Sequence, residues 1–294
     1  MNIFIKHAFY NAICKNDYGK RFCALARNTV ILVMLLALGS RVNAQTMYGT
    51  TGLLHAPTAD MQRDKTFMVG GNVLHLTPLH YISSNEIKYT FNYYLNITIF
   101  PWLEVGYTCT INYAEHGSTY FPESVWGKYS NQDRAFYGRP RLWKEGWWKT
   151  WTPQIVFGAN DPGTHESAGG GGIGSRDSNG GNCWFIRWYL AATKHFTFEN
   201  IGTLGAHLSF VWDRGLRVEH KNSPAGGVNF RLELPNEGFW RKAVNGLNLM
   251  AEYDSRTFNV GGTYSIWKDR INLVAELNDG KYFSGGVYFK VCLK

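Results

Sequence analysis

From Glu86 onward the chain alternates for fourteen residues between apolar and polar positions. Ile87, Tyr89, Phe91, Tyr93, Leu95, Ile97 and Ile99 share one face; Glu86, Lys88, Thr90, Asn92, Asn96 and Thr98 share the other, with Tyr94 the one aromatic among them. A period of two predicts a β-strand with one apolar face. Beyond Phe100-Pro101 the pattern resumes, with Leu103, Val105, Tyr107, Cys109, Ile111 and Tyr113 set against Glu104, Gly106, Thr108, Thr110 and Asn112. Two long strands joined by so tight a link form an antiparallel hairpin. The last third repeats the behaviour in four sets, starting at Leu247, Phe258, Ile271 and Phe283. Shorter or less regular candidates lie near 66–76, 135–144, 153–159, 183–193, 203–212 and 225–234, which brings the expected total to twelve strands with no amphipathic helix.

Alternation alone does not separate a soluble sandwich from a membrane barrel, because both have one apolar and one wetted face. Strand length does. Several runs reach ten residues or more, whereas soluble strands cluster near about five or six and membrane-spanning strands need roughly 9–11. Phe100, Trp102, Tyr113 and Trp267 stand near strand ends, where interfacial aromatic girdles lie. If the first strand starts on the periplasmic side, the long connections near 114–134 and 160–182 fall outside and the tight links at Phe100-Pro101 and Lys268-Asp269 fall inside, the asymmetry of an outer-membrane barrel. The expected fold is all-β, an antiparallel transmembrane β-barrel of about twelve strands. The alternative is a secreted or surface-attached soluble β-sandwich that binds glycans, in which the apolar faces meet each other.

The N-terminus sharpens this. The apolar run Thr29 to Leu38 follows Lys20, Arg21 and Arg27 and precedes Val42-Asn43-Ala44, so residues 1–44 read as a cleavable signal peptide and 45–294 as the barrel domain. The run is too short to span a bilayer as a helix. The leader holds six of the 30 basic residues and one of the 22 acidic ones, so the formal charge of +8 falls to +3 in the mature part, which is no nucleic-acid footprint. Aromatic residues make up 16% of the chain, and strands and membrane interfaces are where they belong. Cys109, Cys183 and Cys292 are too few for a disulfide scaffold and read as incidental apolar residues.

Candidate chemistry is thin. Gly169, Gly171 and Gly174 match a dinucleotide pattern, yet more Gly, then Asn and a strand follow instead of a helix, so the stretch reads as a surface loop. Asp161, His165 and Glu166 in the same loop offer an acid/base pair or metal ligands, but stand at no ligand spacing. A barrel enzyme acting on lipid or glycan would have to rely on them. The reading from sequence is therefore a non-enzymatic protein without a cofactor. In the region 114–134, Tyr120 and Trp126 beside Asp133 and Arg134 combine aromatic faces with polar groups, the mixture that contacts sugars at a pore mouth; the bland alternative is that the aromatics plug the barrel or pack on its rim. On the inner face, Glu86, Lys88, Glu104 and Glu252 are the expected lumen charges, lining a polar lumen or pairing across it to close it.

Several motifs carry a family resemblance. They are GLLHAPTADMQRDKTFMVG at Gly52 to Gly70, PWLEVGYT at Pro101 to Thr108, QDRAF at Gln132 to Phe136 with RLWKE at Arg141 to Glu145, PQIVFGANDPGT at Pro153 to Thr164, AATKHF at Ala191 to Phe196 and AEYDS at Ala251 to Ser255. Together, in this order, they resemble the YjbH-like family, outer-membrane β proteins of Gram-negative bacteria linked to exopolysaccharide production. The resemblance implies an outer-membrane protein in export or assembly of an extracellular polysaccharide, with outer-membrane lipid, the polysaccharide and periplasmic export components as partners. It brings no enzymatic residues. Pro57 followed by Thr58-Ala59-Asp60 is expected to turn the chain into the first strand.

Overall fold

The computed structural model describes residues 44–45, 48–75, 89–119, 121–162, 186–213, 222–235 and 238–293. Two short strands come first, β1 (Ala44–Gln45) and β2 (Thr51–Gly52), paired with each other. Twelve strands then form the wall: β3 (Thr66–His75), β4 (Tyr89–Phe100), β5 (Leu103–Tyr113), β6 (Tyr129–Trp143), β7 (Gln154–Asn160), β8 (Arg187–Phe198), β9 (Gly202–Asp213), β10 (Asn222–Leu232), β11 (Leu247–Tyr253), β12 (Phe258–Ile266), β13 (Ile271–Asn278) and β14 (Tyr282–Cys292). Each pairs antiparallel with the next, and β14 pairs with β3 from Gly285↔Val73 to Cys292↔Thr66, so the sheet closes on itself. Closure satisfies every strand edge. It also overturns the sandwich alternative, because one closed sheet has no second sheet to meet.

All twelve expected wall strands are present. The largest boundary error is at β6, which begins at Tyr129 and not near 135: a register shift at Ile111/Asn112 lets β5 and β6 stay paired out to Tyr113↔Tyr129. The connection expected at 114–134 therefore ends at 128, and Asp133 and Arg134 belong to a strand. Another difference is a short helix, α1 (Phe239–Val244), in the link between β10 and β11. Asn245 braces that link by bonding both the N–H and the carbonyl of Leu234.

The alternation resolves into an outside and an inside. In β4, Tyr89, Phe91, Tyr93 and Leu95 are exposed while Thr90, Asn92, Tyr94, Asn96 and Thr98 are buried. β13 repeats this, with Leu273 and Leu277 out and Asn272, Val274, Glu276 and Asn278 in. Apolar side chains thus cover the exterior, and polar ones fill the interior. One end of the barrel carries the connections 101–102, 144–153, 199–201, 233–246 and 267–270, and every one of them presents an exposed bulky apolar side chain, from Trp102, through Trp147, Trp148 and Trp151, Ile201 and Trp240, to Trp267.

Candidate functional site

The lumen is not empty. Segment 48–62, which precedes β3, lies inside the wall, with Tyr48, Leu53, Leu54, Ala56 and Ala59 almost wholly buried. The expected turn at Pro57 is a piece of this plug, where Pro57 bridges back to Gly52. The apolar core of the molecule is the plug's contact with the few inward apolar residues of the wall, among them Met68, Val156, Val211, Met250 and Val274. Three lumen tyrosines lie across glycines of the neighbouring strand, in the pairs Gly70↔Tyr94, Gly106↔Tyr137 and Gly158↔Tyr189. A Cβ at any of these glycines would run into the ring. Gly49 of the plug takes φ +72° and approaches so closely that a Cβ there would stand 2.7 Å from the Cβ of Tyr94.

Wall side chains hold the plug mainly by its backbone. Glu104 accepts from Thr51 N–H at 3.0 Å and Thr51 Oγ1 at 2.7 Å. Arg139 lies 3.8 Å from Glu104 and donates to the carbonyls of Thr51, Thr58 and Asp60. Tyr137 and Asn96 donate to Gly49 O. Deeper in, the two oxygens of Glu252 accept from His55 N–H at 2.7 Å and Ala56 N–H at 3.0 Å, and Arg187 donates to His55 O at 3.1 Å while its guanidinium covers the Tyr48 ring. His55 Nε2 lies 2.9 Å from Glu276. At the plug's root, Gln154 donates to Ala59 O, Ala59 N–H donates to Thr193, and Asp60 faces His195 at 3.3 Å.

Buried ions are tolerated only when paired and hydrogen-bonded, and here each of these meets opposite charge or peptide dipoles. Burial alone would lower the His55 imidazole, but the carboxylates of Glu276, Glu252 and Asp254 outweigh it and raise it to about 10. Burial would raise the Asp60 carboxyl, but the bond to His195 and the charges of His207, His195 and Arg139 hold it below the usual carboxylate range.

Among the expected lumen charges, Glu104 and Glu252 are both inside and buried, but neither closes the lumen by pairing across it alone: both grip the plug. Glu86 and Lys88 lie outside the described residues. Of the expected sugar contacts, Trp126 donates its indole N–H to Phe121 O at 2.9 Å and sets its ring edge-to-face with His116, so it packs within its own loop. Arg134 is exposed in β6 opposite Cys109, and Asp133, also in β6, is paired by backbone with Thr110 of β5. Tyr120 lies outside the described residues, as do His165, Glu166, the three loop glycines and Cys183. Asp161 is buried just past β7, donating its N–H to Phe136 O. Cys109 and Cys292 are free thiols. Among the described residues no three His, Cys, Asp or Glu side chains cluster to hold a metal ion.

The residues the sequence reading missed are Arg139, Arg187, His55, Glu276 and Gln154. The wall members among them stand at inward positions of strands, so strand parity was the available signal; the plug has no period and offered none.

Residues 44–169 match the family model described as YjbH, exopolysaccharide biosynthesis protein YbjH. That span contains the plug and the first five wall strands. The chain is also 30% identical over 122 residues to the uncharacterized lipoprotein YjbH of Escherichia coli (strain K12), a stretch that is 41% of this chain and 15% of that relative. The resemblance drawn from the motifs is borne out over this region.

Proposed function

We propose that the chain is a non-enzymatic β-barrel of the bacterial outer membrane that takes part in export or assembly of an extracellular polysaccharide. The observation that carries the reading is the inverted polarity of the wall: apolar side chains outside, a buried polar network inside. In water such an exterior would be an extensive exposed apolar patch, the mark of a membrane or protein interface. Tryptophans around one rim extend the argument, since their amphipathic rings favour the membrane–water boundary. The strand ends flanking the longest link, Asn160 of β7 and Arg187 of β8, lie at the other rim, which faces outward on this reading, while the tryptophan rim meets the periplasm and its export components. The polysaccharide role comes from the family match.

Two measurements test it. Protein extracted from purified outer membranes in mild detergent should migrate differently with and without boiling; recovery in the aqueous fraction without a shift would overturn the membrane assignment. A strain lacking the gene should lose or reduce its surface polysaccharide, and an unchanged level would overturn the role.

A further inference from the structure

We propose that the seat of segment 48–62 is a binding path for a neutral polysaccharide chain, filled by the segment when the barrel is closed and vacated when the glycan enters. This rests on the function proposed above and names the substrate class and the route.

Barrel size is the first argument. Eight strands enclose little more than their own side chains, and sixteen or more leave an aqueous channel. Twelve strands fall between, and what fills the difference here is a stretch of chain that belongs to no wall strand. Its departure would free the room that one stretch of chain, Tyr48 to Gln62, now fills.

The second argument is the manner of holding. The wall reads the segment through peptide N–H and carbonyl groups, so the recognition depends little on which side chains the plug carries. Carboxylates that accept from amides accept equally from sugar hydroxyls, and guanidinium and amide groups that donate to carbonyls donate to hydroxyl and ring oxygens. Tyr94, Tyr137 and Tyr189 supply ring faces along the same wall.

Charge selects among glycans. The wall groups touching the segment are of mixed sign, Glu104, Glu252 and Glu276 against Arg139, Arg187 and Lys290, with His195 facing Asp60. A path of alternating sign, with three carboxylates along it, gives a polyanion little to hold. The segment is anchored at its root, where Lys65 N–H donates to Thr98 O and Leu293 N–H to Lys65 O, while Arg63 and Lys65 beside it are exposed. A hinge there would let the plug leave and stay tethered.

The test uses the mature chain from outer membranes in planar bilayers. Leu53→Ala/Leu54→Ala removes the apolar hold of the plug and leaves the wall intact. The variant should raise open-channel current roughly tenfold or more over wild type, given the cost of two emptied leucine sites. Maltoheptaose should then block the current, a synthetic peptide of residues 48–62 should compete, and oligogalacturonate should block less well. If the double variant loses its heat-dependent mobility, His55→Ala, which removes the ring and its charge beside Glu276, Glu252 and Asp254 but keeps the backbone bonds of residue 55 to Glu252 and Arg187, is read the same way. A folded variant that stays closed would show the plug to be a fixed core and overturn the proposal. Block by the peptide but not by maltoheptaose would make the lumen a peptide site, and preferential block by oligogalacturonate would overturn neutrality. If deleting the gene abolishes the polysaccharide while neither variant conducts, passage through this lumen falls and the broader function stands.

Discussion

The outer face of the wall and its lumen are made from alternate residues of the same twelve strands, yet they hold the molecule by different means. Outside, Leu208, Phe210, Leu249 and Val260 are exposed side chains that need only an apolar solvent, and almost any apolar residue would serve. Inside, the charged groups and many of the polar ones have particular partners, and many of those partners are backbone atoms of one segment. Exchange is therefore cheap on one face and expensive on the other. That difference can be broken or sharpened by substitution.

The largest effect is expected at Arg139, which is fully buried and bonds three plug carbonyls beside Glu104. Arg139→Ala leaves the Glu104 carboxylate buried without its cation and should destabilise by about 3–5 kcal/mol. The temperature at which unboiled protein loses its compact gel mobility reports this. Adding Glu104→Gln should restore part of the loss, because the two positions are coupled. An Arg139→Ala barrel as heat-resistant as wild type would mean that the lumen network does not hold the plug.

Next is Leu208, 66% exposed in the middle of β9. Leu208→Arg should cost about 2–4 kcal/mol if the residue faces the centre of a bilayer, and Leu208→Phe little. In a barrel surrounded by water the arginine would be harmless, so a neutral result removes the lipid from the comparison.

Two glycines give a smaller, matched contrast. A Cβ at Gly158 would meet the ring of Tyr189, whereas one at Gly138 meets nothing within 4 Å. Gly158→Ala should cost about 1–3 kcal/mol through overpacking. Gly138→Ala should be neutral or nearly so. Equal costs at the two sites would deny that the lumen is tightly packed.

The same contrast explains what could be read from sequence. Wall strands were legible because burial on one face only imposes a period of two, and Glu104 and Glu252 followed from parity once the strands were placed. Tyr94, the aromatic on the polar face of β4, marked the plug's contact, but nothing nearby said what it touched. Residues 48–62 lack any period, since their conformation is set by Arg139, Glu252 and other wall groups distant in sequence. The start of β6 was misplaced by a register shift that leaves no local signature.

The last effect is a slope with pH, modest at any one step because it is spread over several pH units. In the plug, His55 is raised from its ordinary 6.5 to about 10, and Asp60 is held below its ordinary value. A group raised on folding contributes stability that is fully present below its unfolded value, near 6.5, and lost as pH rises through about 10. A group lowered on folding contributes above its unfolded value, near 3.8, and that share is lost as pH falls through the folded one. These two groups together therefore hold the plug most tightly between roughly pH 4 and 6.5. From pH 7 to 10 the stability measured by gel mobility should decline by at most about 1.4 kcal/mol per pH unit. His55→Ala should flatten that decline while leaving the acid side unchanged, since Asp60 keeps His195 and Arg139. A wild type and His55→Ala pair falling in parallel across this range would place the alkaline sensitivity in the wall, and the plug's charge pair with Glu276 would then contribute packing only.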